Sequence, residues 1–312
     1  MDTQQTEAKK LSIVIITHNH QAYINRTIES ILNQKLLLSY EIIICDDAST
    51  DNTVEIILSY HQKHPEIFNT YFSPVNKGPM QMAKQSLSMC KGQYLAWLDG
   101  DDYWLYENKL QYQIDFLDTH CDYAACFHDA LIVSEKNHTS NNDSTYYKQW
   151  KCFSQFNKYT PDFYPWQLLE RQLIPTASLV CRKNLLDIAV FEKFSEMKLS
   201  INWLLQLMII KNSKFRYINE QWSVYYNHHE GMSKKVDKQC FKLSNIHFLK
   251  KLLNDGYYTY LRKDIYKAIA LEYYQLLDIY KGQKKKLIKL TFRYILYEFK
   301  KIISEIFYFF RK

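Results

Sequence analysis

Residues 94–102 read Tyr-Leu-Ala-Trp-Leu-Asp-Gly-Asp-Asp, a short apolar run that ends abruptly in three carboxylates. Two similar runs, Leu-Ser-Ile-Val-Ile-Ile at 11–16 and Glu-Ile-Ile-Ile-Cys at 41–45, also lead into polar loops. Short β-branched runs of this kind are typical of strands that are buried on both faces. Apolar residues at helical spacing follow the first two runs. This alternation predicts an α/β fold with a mainly parallel sheet flanked by helices.

The polar loops after these strands are Thr17-His-Asn19, Asp46-Asp47 and Asp99-Gly-Asp-Asp102. Ligands of parallel α/β sheets bind beyond the carboxyl ends of the strands. We therefore expect the three loops to form one binding site.

Two interpretations of the acidic loops follow from the residues alone. Carboxylates at 99, 101 and 102 suit Mg²⁺ or Mn²⁺, which also bridge phosphate oxygens, and Asp46-Asp47 suits a ribose hydroxyl or a base N–H. Alternatively, both loops are solvated turns, with Asp102 and either Ser49 or Asp51 capping the helices that follow.

The net charge of +7, from 40 Lys+Arg and 33 Asp+Glu, is not spread evenly. Residues 281–312 hold ten bases and two acids, so this tail carries +8 and the preceding 280 residues carry −1. A nearly neutral body argues against a nucleic-acid-binding protein. Residues 284–312 predict a basic amphipathic helix, which either contacts an anionic membrane surface or packs on the body with its basic face solvated.

Glycine and cysteine counts exclude further classes. The six glycines are never closer than eight residues apart, which excludes the G-x-G-x-x-G and P-loop fingerprints. Seven scattered cysteines without a C-x-x-C motif or a signal peptide indicate reduced thiols. No apolar run is long enough to predict a membrane span. We therefore expect a cytoplasmic protein, either free or peripheral on the cytoplasmic face of the membrane.

Five blocks together carry a resemblance to a known family. They are Ser12–Asn19, Ile28–Gln34, Glu41–Thr53, Asn76–Gly78 and Gly92–Trp104, the last followed by Lys109-Leu110 and Gln113. In order and spacing, these blocks resemble family 2 glycosyltransferases over residues 11–115. The resemblance implies a Rossmann-like GT-A fold, a nucleotide-sugar donor, a divalent cation (Mn²⁺ or Mg²⁺) and inversion at the anomeric carbon. Our hypothesis for the acceptor is a hydroxyl of a growing glycan, and a lipid-linked or cell-surface polysaccharide precursor would suit the basic tail.

The same resemblance assigns roles to individual residues. Thr17 and Asn19 lie on the nucleotide-binding loop, Asp47 contacts the base and Asp46 supports it. Lys84 stands where the family commonly has an arginine near the nucleotide. Asp99 and Asp101 form the D-x-D motif, with Asp101 a direct metal ligand and Asp102 beside it on the donor. The predicted donor and metal residues are therefore Thr17, Asn19, Asp46, Asp47, Lys84, Asp99, Asp101 and Asp102.

The second half of the chain matches the family less closely. Pro175–Arg182 resembles the segment that lines the acceptor side, and Val224–Ser233 resembles the closing strand and its Y-R-x-H-like end. This places His228 as a third metal ligand, although Tyr226 replaces the usual arginine. The alternative is that His228 and His229 are a surface pair.

Position 202 departs from the family pattern, because Asn202 stands where similar proteins have the aspartate that acts as general base. A carboxamide cannot take up a proton at physiological pH. Either the alignment is shifted and Glu196 is the base, or Asn202 positions the acceptor while another group accepts the proton. The third possibility is a catalytically impaired, sugar-nucleotide-binding subunit of a glycan assembly complex.

The expected domain organisation has three parts. Residues 1–10 are a disordered N-terminus, residues 11–233 form the GT-A catalytic domain, and residues 234–312 form a helical C-terminal extension. Within the catalytic domain, 11–115 bind the nucleotide sugar and 116–233 form the acceptor half. Four short strands are predicted in the acceptor half, at 123–127, 130–133, 215–218 and 222–226.

Overall fold

A computed structural model describes residues 10–134, 150–151, 160–170, 174–194, 196–197, 201–211, 213–229, 231, 236–256 and 258–309. The predicted disordered N-terminus, apart from Lys10, lies outside these residues.

Ten strands of the described residues form one sheet. In chain order they are β1 (Leu11–Thr17), β2 (Tyr40–Asp46), β3 (Phe68–Phe72), β4 (Tyr94–Asp99), β5 (Tyr103–Trp104), β6 (Tyr123–Ser134), β7 (Trp150–Lys151), β8 (Asp162–Phe163), β9 (Val180–Arg182) and β10 (Lys214–Asn227). The order across the sheet is β3-β2-β1-β4-β9-β6-β10-β5, with β7 beside β6 and β8 beside β10.

Strands β3, β2, β1 and β4 run parallel to one another, so their carboxyl ends share one edge of the sheet. The strands β1, β2 and β4 are buried along nearly their whole length, as their β-branched runs require. Three helices connect them: α1 (Ile24–Leu32), α2 (Thr53–Lys63) and α3 (Pro79–Met89). The predicted α/β class, with a mainly parallel sheet flanked by helices, is confirmed.

The remaining helices follow β5. They are α4 (Lys109–Thr119), α5 (Pro165–Glu170), α6 (Ile188–Lys193), α7 (Ile201–Ile210), α8 (Lys238–Asn254), α9 (Arg262–Ile279) and α10 (Lys284–Phe309). The predicted helical C-terminal extension is therefore present in α8, α9 and α10.

The acceptor half differs from the prediction, because each predicted pair of short strands is one long strand. Strand β6 continues through His128 and Asp129, which are both buried. Each residue has one polar atom in a local contact: His128 Nδ1 lies 2.7 Å from the Asp129 carbonyl oxygen, and the Ala130 N–H donates to Asp129 Oδ1 at 2.9 Å. Strand β10 likewise crosses residues 219–221, with irregular register against β6 around Gln221. The prediction of four strands was wrong for this reason.

The chain divides into two compact units. The first contains Met1–Phe163, Leu173–Lys198 and Met208–His229, and the second contains Tyr164–Gln172, Leu199–Leu207 and Glu230–Lys312. All ten strands belong to the first unit. The predicted domain boundary at residue 233 stays a prediction.

In the second unit, helix α10 packs on α9 through one face only. Leu290 and Tyr297 of α10 are buried, and the Tyr297 ring lies 5.7 Å from the Tyr273 ring of α9. Among the side chains of α10 that the structure describes, which end at residue 304, the opposite face carries five exposed apolar ones, which we call the exposed stripe: Ile288, Phe292, Ile295, Phe299 and Ile302. Within the described residues, no helix is apolar enough over a sufficient length to cross a bilayer.

The six cysteines among the described residues are all free thiols. Four of them, at 45, 90, 126 and 181, are buried, and burial raises the pKa of Cys45 to about 12. A thiol with such a pKa is unreactive at neutral pH. These cysteines therefore serve as packing residues.

Candidate active site

The carboxyl ends of β1, β2 and β4 bring the three polar loops together in the first unit. The Asp47 N–H donates to the Thr17 carbonyl oxygen at 2.9 Å, which ties the loop after β2 to the loop after β1. The Gly100 N–H donates to the Ile16 carbonyl oxygen at 3.0 Å, which ties the loop after β4 to the same strand. The loops therefore form one continuous polar surface at this edge of the sheet.

Asp46 and Asp47 are buried and are held by backbone N–H groups. Asp46 accepts from the Ser49 N–H at 2.8 Å and from the Ser49 hydroxyl. Asp47 accepts from the N–H groups of Lys77 at 2.7 Å and Gly78 at 2.8 Å. A carboxylate oxygen keeps a second lone pair after accepting one hydrogen bond. Asp47 can therefore still accept a bond from a ligand, while Asp46 shapes its own loop.

Asn19 joins the first loop to the second in a left-handed backbone conformation, with φ of 55°. Its side-chain oxygen accepts from the Thr50 N–H at 2.7 Å, and its own N–H donates to the Ser49 hydroxyl at 2.8 Å. Asparagine is one of the few residues that tolerates this region of φ. Asn19 therefore fixes the shape of the predicted nucleotide-binding loop.

The loop after β4 holds two carboxyl groups that resist ionisation. Burial, followed by the nearby charge of Asp101, raises the pKa of Asp99 to about 7. Burial, together with Asp101 and Asp99, also raises the pKa of Asp102 well above its usual value. Asp102 Oδ1 accepts from the Tyr226 N–H at 2.9 Å, so this side chain anchors the end of β10 beside the acidic loop.

Asp101 is the ionised member of the loop. Burial acts to raise its pKa, but the hydrogen bond with His228 and the electrostatic interactions with the neighbouring His20 and His228 rings outweigh burial and lower the pKa below its usual value. His228 Nε2 lies 2.9 Å from Asp101 Oδ2, and His20 Nε2 lies 3.8 Å from the same oxygen. Burial, as the largest effect, lowers the pKa of His20, which keeps its imidazole neutral.

His20, Asp101 and His228 form a group whose ligand atoms all lie within 4.8 Å of one another. Neutral imidazole and ionised carboxylate are the protonation states that bind metal ions. Two of the three predicted ligands, Asp101 and His228, belong to this group. Asp99 is not among its members, and His20 was not predicted.

The arginine at this site, Arg26, was not predicted from the sequence. Arg26 of α1 lies over two tyrosine rings, 4.1 Å from the centroid of Tyr103 and 4.5 Å from that of Tyr226. Tyr226 occupies the position where the family resemblance implies an arginine. A guanidinium is thus present beside this position, but it comes from a different element. The only sign of Arg26 in the sequence was an isolated arginine in the helix after the first loop. Sequence spacing alone does not distinguish such an arginine from a surface residue.

The other predicted residues lie outside this group. Lys84 of α3 pairs with Glu192 of α6 at 2.6 Å, and both side chains are at least partly exposed. Glu196 is exposed after α6, in the first unit. Asn202 is half-buried near the start of α7, in the second unit. The neighbouring Trp203 is buried and donates its indole N–H to the Leu168 carbonyl oxygen at 2.7 Å.

Comparison with known proteins shows several similarities. The model of glycosyl transferase family 2 matches residues 12–185. An uncharacterized Mycobacterium tuberculosis protein is 30% identical over 233 residues, which are 74% of this chain and 63% of that protein. The Escherichia coli UDP-Glc:alpha-D-GlcNAc-diphosphoundecaprenol beta-1,3-glucosyltransferase WfaP is 38% identical over 109 residues, 35% of this chain and 41% of WfaP. The chain thus spans less than two thirds of these relatives.

Among solved structures, S. aureus TarS 1–349 in complex with UDP-GlcNAc has a similar fold. The TM-score is 0.59 at 16% sequence identity, and the match covers 92% of this chain and 81% of the TarS chain. The similarity extends over both compact units and shows the fold.

Proposed function

The chain belongs to glycosyl transferase family 2, and from that premise we propose that it transfers a sugar from a nucleotide diphosphate donor to a hydroxyl of a glycan precursor, with inversion. The observation that carries the proposal is the junction of three loops at the carboxyl ends of β1, β2 and β4. Such a junction is the ligand site of parallel α/β sheets. Here it combines an ionised aspartate, two histidines and a carboxylate-lined loop.

In this proposal the donor lies across the junction. Thr17 and Asn19 form the wall beside the nucleotide, and Asp47 accepts a hydrogen bond from the base. Asp46 supports Asp47 by holding the loop through Ser49. Because the named relatives and structures include a UDP-Glc enzyme and a UDP-GlcNAc complex, the proposed donor is a UDP-sugar.

The residues present fit the divalent cation that the family implies. Asp101 is ionised, and the Nε2 atoms of His20 and His228 face the same carboxylate oxygen, so three donor atoms converge. Asp101 and His228 would hold the ion, with Asp99 beside them. When bound, a divalent cation offsets the charge that develops on the departing nucleotide diphosphate.

The acceptor must lose a proton as the new glycosidic bond forms. Asn202 can donate and accept hydrogen bonds but cannot take up this proton. Its proposed role is to position the acceptor hydroxyl, while Glu196 or a phosphate oxygen of the donor accepts the proton. The proposed acceptor is a lipid-linked glycan, by analogy with the diphosphoundecaprenol substrate in the name of WfaP.

A donor screen tests the proposal directly. Thermal unfolding is measured with UDP-glucose, UDP-N-acetylglucosamine and other nucleotide sugars, each with and without Mn²⁺. A ligand that binds only the folded state stabilises it by about 2.7 kcal/mol at 100 times its Kd. We expect at least one nucleotide sugar to raise the Tm by several degrees, and more so with Mn²⁺. If no nucleotide sugar raises the Tm, the proposed function is wrong.

The proposal also includes peripheral contact with an anionic membrane through residues 284–312. The exposed stripe on α10 extends from Ile288 to Ile302, over 15 residues and about 21 Å of helix, and its five side chains are 47–71% exposed. Lys284, Lys285 and Lys289 are exposed on the same helix. Apolar side chains beside lysines insert at the lipid interface while the ammonium groups reach anionic head groups. The proposed location of the protein is therefore peripheral, on the cytoplasmic face of the membrane that would carry a lipid-linked acceptor.

Replacing the exposed stripe tests this contact. The variant Ile288→Ser/Phe292→Ser/Ile295→Ser/Phe299→Ser is expected to reduce flotation with phosphatidylglycerol-containing vesicles at least tenfold, because it removes the apolar area that enters the lipid. The control variant Leu37→Ser/Val75→Ser changes exposed apolar residues outside α10 and should float like the parent protein. Flotation that is unchanged in the quadruple variant contradicts the membrane contact. A parent protein that dimerises through this stripe instead of binding vesicles also contradicts it.

A further inference from the structure

His20 is oriented toward Asp101 by contacts on its far side. Its Nδ1 atom lies 3.1 Å from the Thr17 hydroxyl, and its Nε2 atom faces Asp101 Oδ2 at 3.8 Å. A metal-binding histidine usually has its second ring nitrogen engaged in this way, because that contact fixes both the tautomer and the ring direction. Thr17 therefore holds His20 in the orientation that a ligand needs.

The loop after β4 lies very close to the side chains of His20 and Thr17, and the glycine at position 100 allows this close approach. A Cβ atom on Gly100 would lie 2.7 Å from His20 Nδ1 and 2.7 Å from the Thr17 hydroxyl oxygen. Contacts shorter than about 3 Å between such atoms are strongly repulsive, so only glycine allows the loop after β4 to approach the loop after β1 this closely. The glycine between Asp99 and Asp101 thus positions His20 against Asp101.

His228 approaches Asp101 from β10. Its side chain is fully buried, and its Nε2 atom lies 2.9 Å from the same Asp101 oxygen. The two imidazole rings are 6.3 Å apart between centroids and nearly perpendicular, at 80°. Two nitrogens and one oxygen, from three separate elements, therefore converge on one point.

We infer that His20 is a metal ligand, and that His20, Asp101 and His228 together bind a first-row transition ion such as Mn²⁺ or Co²⁺ in preference to Mg²⁺. This inference rests on the proposed function only in the role given to the ion, which is to bind the diphosphate of the donor. Two imidazoles and one carboxylate would supply three ligands and would leave open positions on the ion. The open positions would take diphosphate oxygens of the donor.

The selectivity follows from the two nitrogen ligands. Mg²⁺ is a hard ion that prefers oxygen ligands and retains its water, whereas imidazole suits transition ions. A site made only of aspartates would not make this distinction. The second nitrogen, from His20, is what separates this site from one with a single histidine, so its removal should reduce the selectivity.

The test measures binding of the metal alone, without donor, by calorimetric titration of the full chain with Mn²⁺, Co²⁺ and Mg²⁺. We expect the parent protein to bind Co²⁺ and Mn²⁺ at least 30-fold more tightly than Mg²⁺. His20→Ala should weaken Co²⁺ binding at least tenfold and change Mg²⁺ binding less than threefold. His20→Asp, which supplies an oxygen in place of the nitrogen, should shift the preference toward Mg²⁺. The visible absorption of bound Co²⁺ should change in both variants, because its intensity depends on the ligand set.

His61→Ala is the matched control, since His61 lies on α2 and contacts Thr70 outside the site. It should bind metal like the parent protein. Equal Co²⁺ binding and an unchanged Co²⁺ spectrum in His20→Ala would overturn the inference, as would equal affinity of the parent for Mg²⁺ and Co²⁺. These outcomes are separate from a failure of the proposed function, which would appear as metal binding without stabilisation or turnover of any nucleotide sugar.

Discussion

Asp101→Asn is expected to reduce sugar transfer by a factor on the order of 10³. The substitution keeps the size of the side chain and an oxygen that can accept from His228, but it removes the only carboxylate in the His20–Asp101–His228 group. Without that negative charge, the group holds two imidazoles and a neutral amide, which bind a divalent cation weakly. Initial rates of transfer from the donor identified by the thermal screen, at saturating Mn²⁺, give the measurement.

Asp115→Asn is the matched control for this prediction. Asp115 is an exposed residue of α4 that accepts a hydrogen bond from Gln111, outside the site. It should leave transfer unchanged. Nucleotide-sugar stabilisation should survive in Asp101→Asn in part, because the Asp47 loop is intact. Transfer at the parental rate in Asp101→Asn would contradict the assigned role, and donor binding without turnover in the parent protein would instead favour the impaired binding subunit.

The sequence predicts the parallel half of the sheet well because its strands are continuous apolar runs. Strands β1, β2 and β4 begin and end within a residue or two of the predicted limits. The antiparallel and mixed half was predicted less well. Buried polar residues such as His128 and Asp129 interrupt the apolar pattern of β6, although their hydrogen bonds to adjacent backbone atoms allow the strand to continue. Periodicity cannot reveal such local compensation.

The candidate site was likewise predicted in part, and the reason differs between its aspartates and His20. The aspartates at the strand ends could be predicted because each follows a recognisable strand. His20 could not, since its proximity to Asp101 and His228 depends on the pairing of β10 with β6 and on the glycine at position 100. Its position three residues after Thr17, in a loop that follows a buried strand, was the one available signal. Loop residues have no periodicity from which a direction can be inferred.

Lys109 is a second feature that the sequence does not reveal. It begins α4 and is fully buried, and its ammonium nitrogen has no hydrogen-bond partner among the described residues. Burial lowers the pKa of this lysine to about 7. The Trp104 ring, whose centroid lies 4.3 Å from Nζ, offers the charged form a favourable contact. The folded protein therefore holds this amine largely uncharged above pH 7, while the unfolded chain keeps it protonated up to about pH 10.5.

Lys109→Met is accordingly expected to stabilise the protein, by about 3 kcal/mol at pH 7. Between pH 7 and about 10.5 the unfolded parent chain binds a proton that the folded protein does not. The stability of the parent therefore falls as the pH decreases through this range, by about 1.4 kcal/mol per pH unit. Methionine has a similar shape and no proton to bind, so it removes this loss. The residual cation–π contact with Trp104 reduces the gain below the full linkage value.

The measurement is the difference in unfolding free energy between Lys109→Met and the parent at pH 7, 8 and 9, by denaturant titration. In this window His128, whose pKa burial lowers well below its usual value, stays neutral in the folded protein, and burial keeps Cys126, with a pKa of about 12, protonated. Both groups interact with Lys109, but because each stays uncharged in the folded protein through this window, the pH dependence of the difference reports on Lys109. The gain should therefore shrink steadily from pH 7 to pH 9.

Lys91→Met, at an exposed position, should show neither a gain nor a pH dependence. A destabilised Lys109→Met, or a gain that is constant with pH, would mean that the folded protein holds Lys109 in its charged form, with Trp104 and neighbouring carbonyl dipoles compensating the burial of that charge.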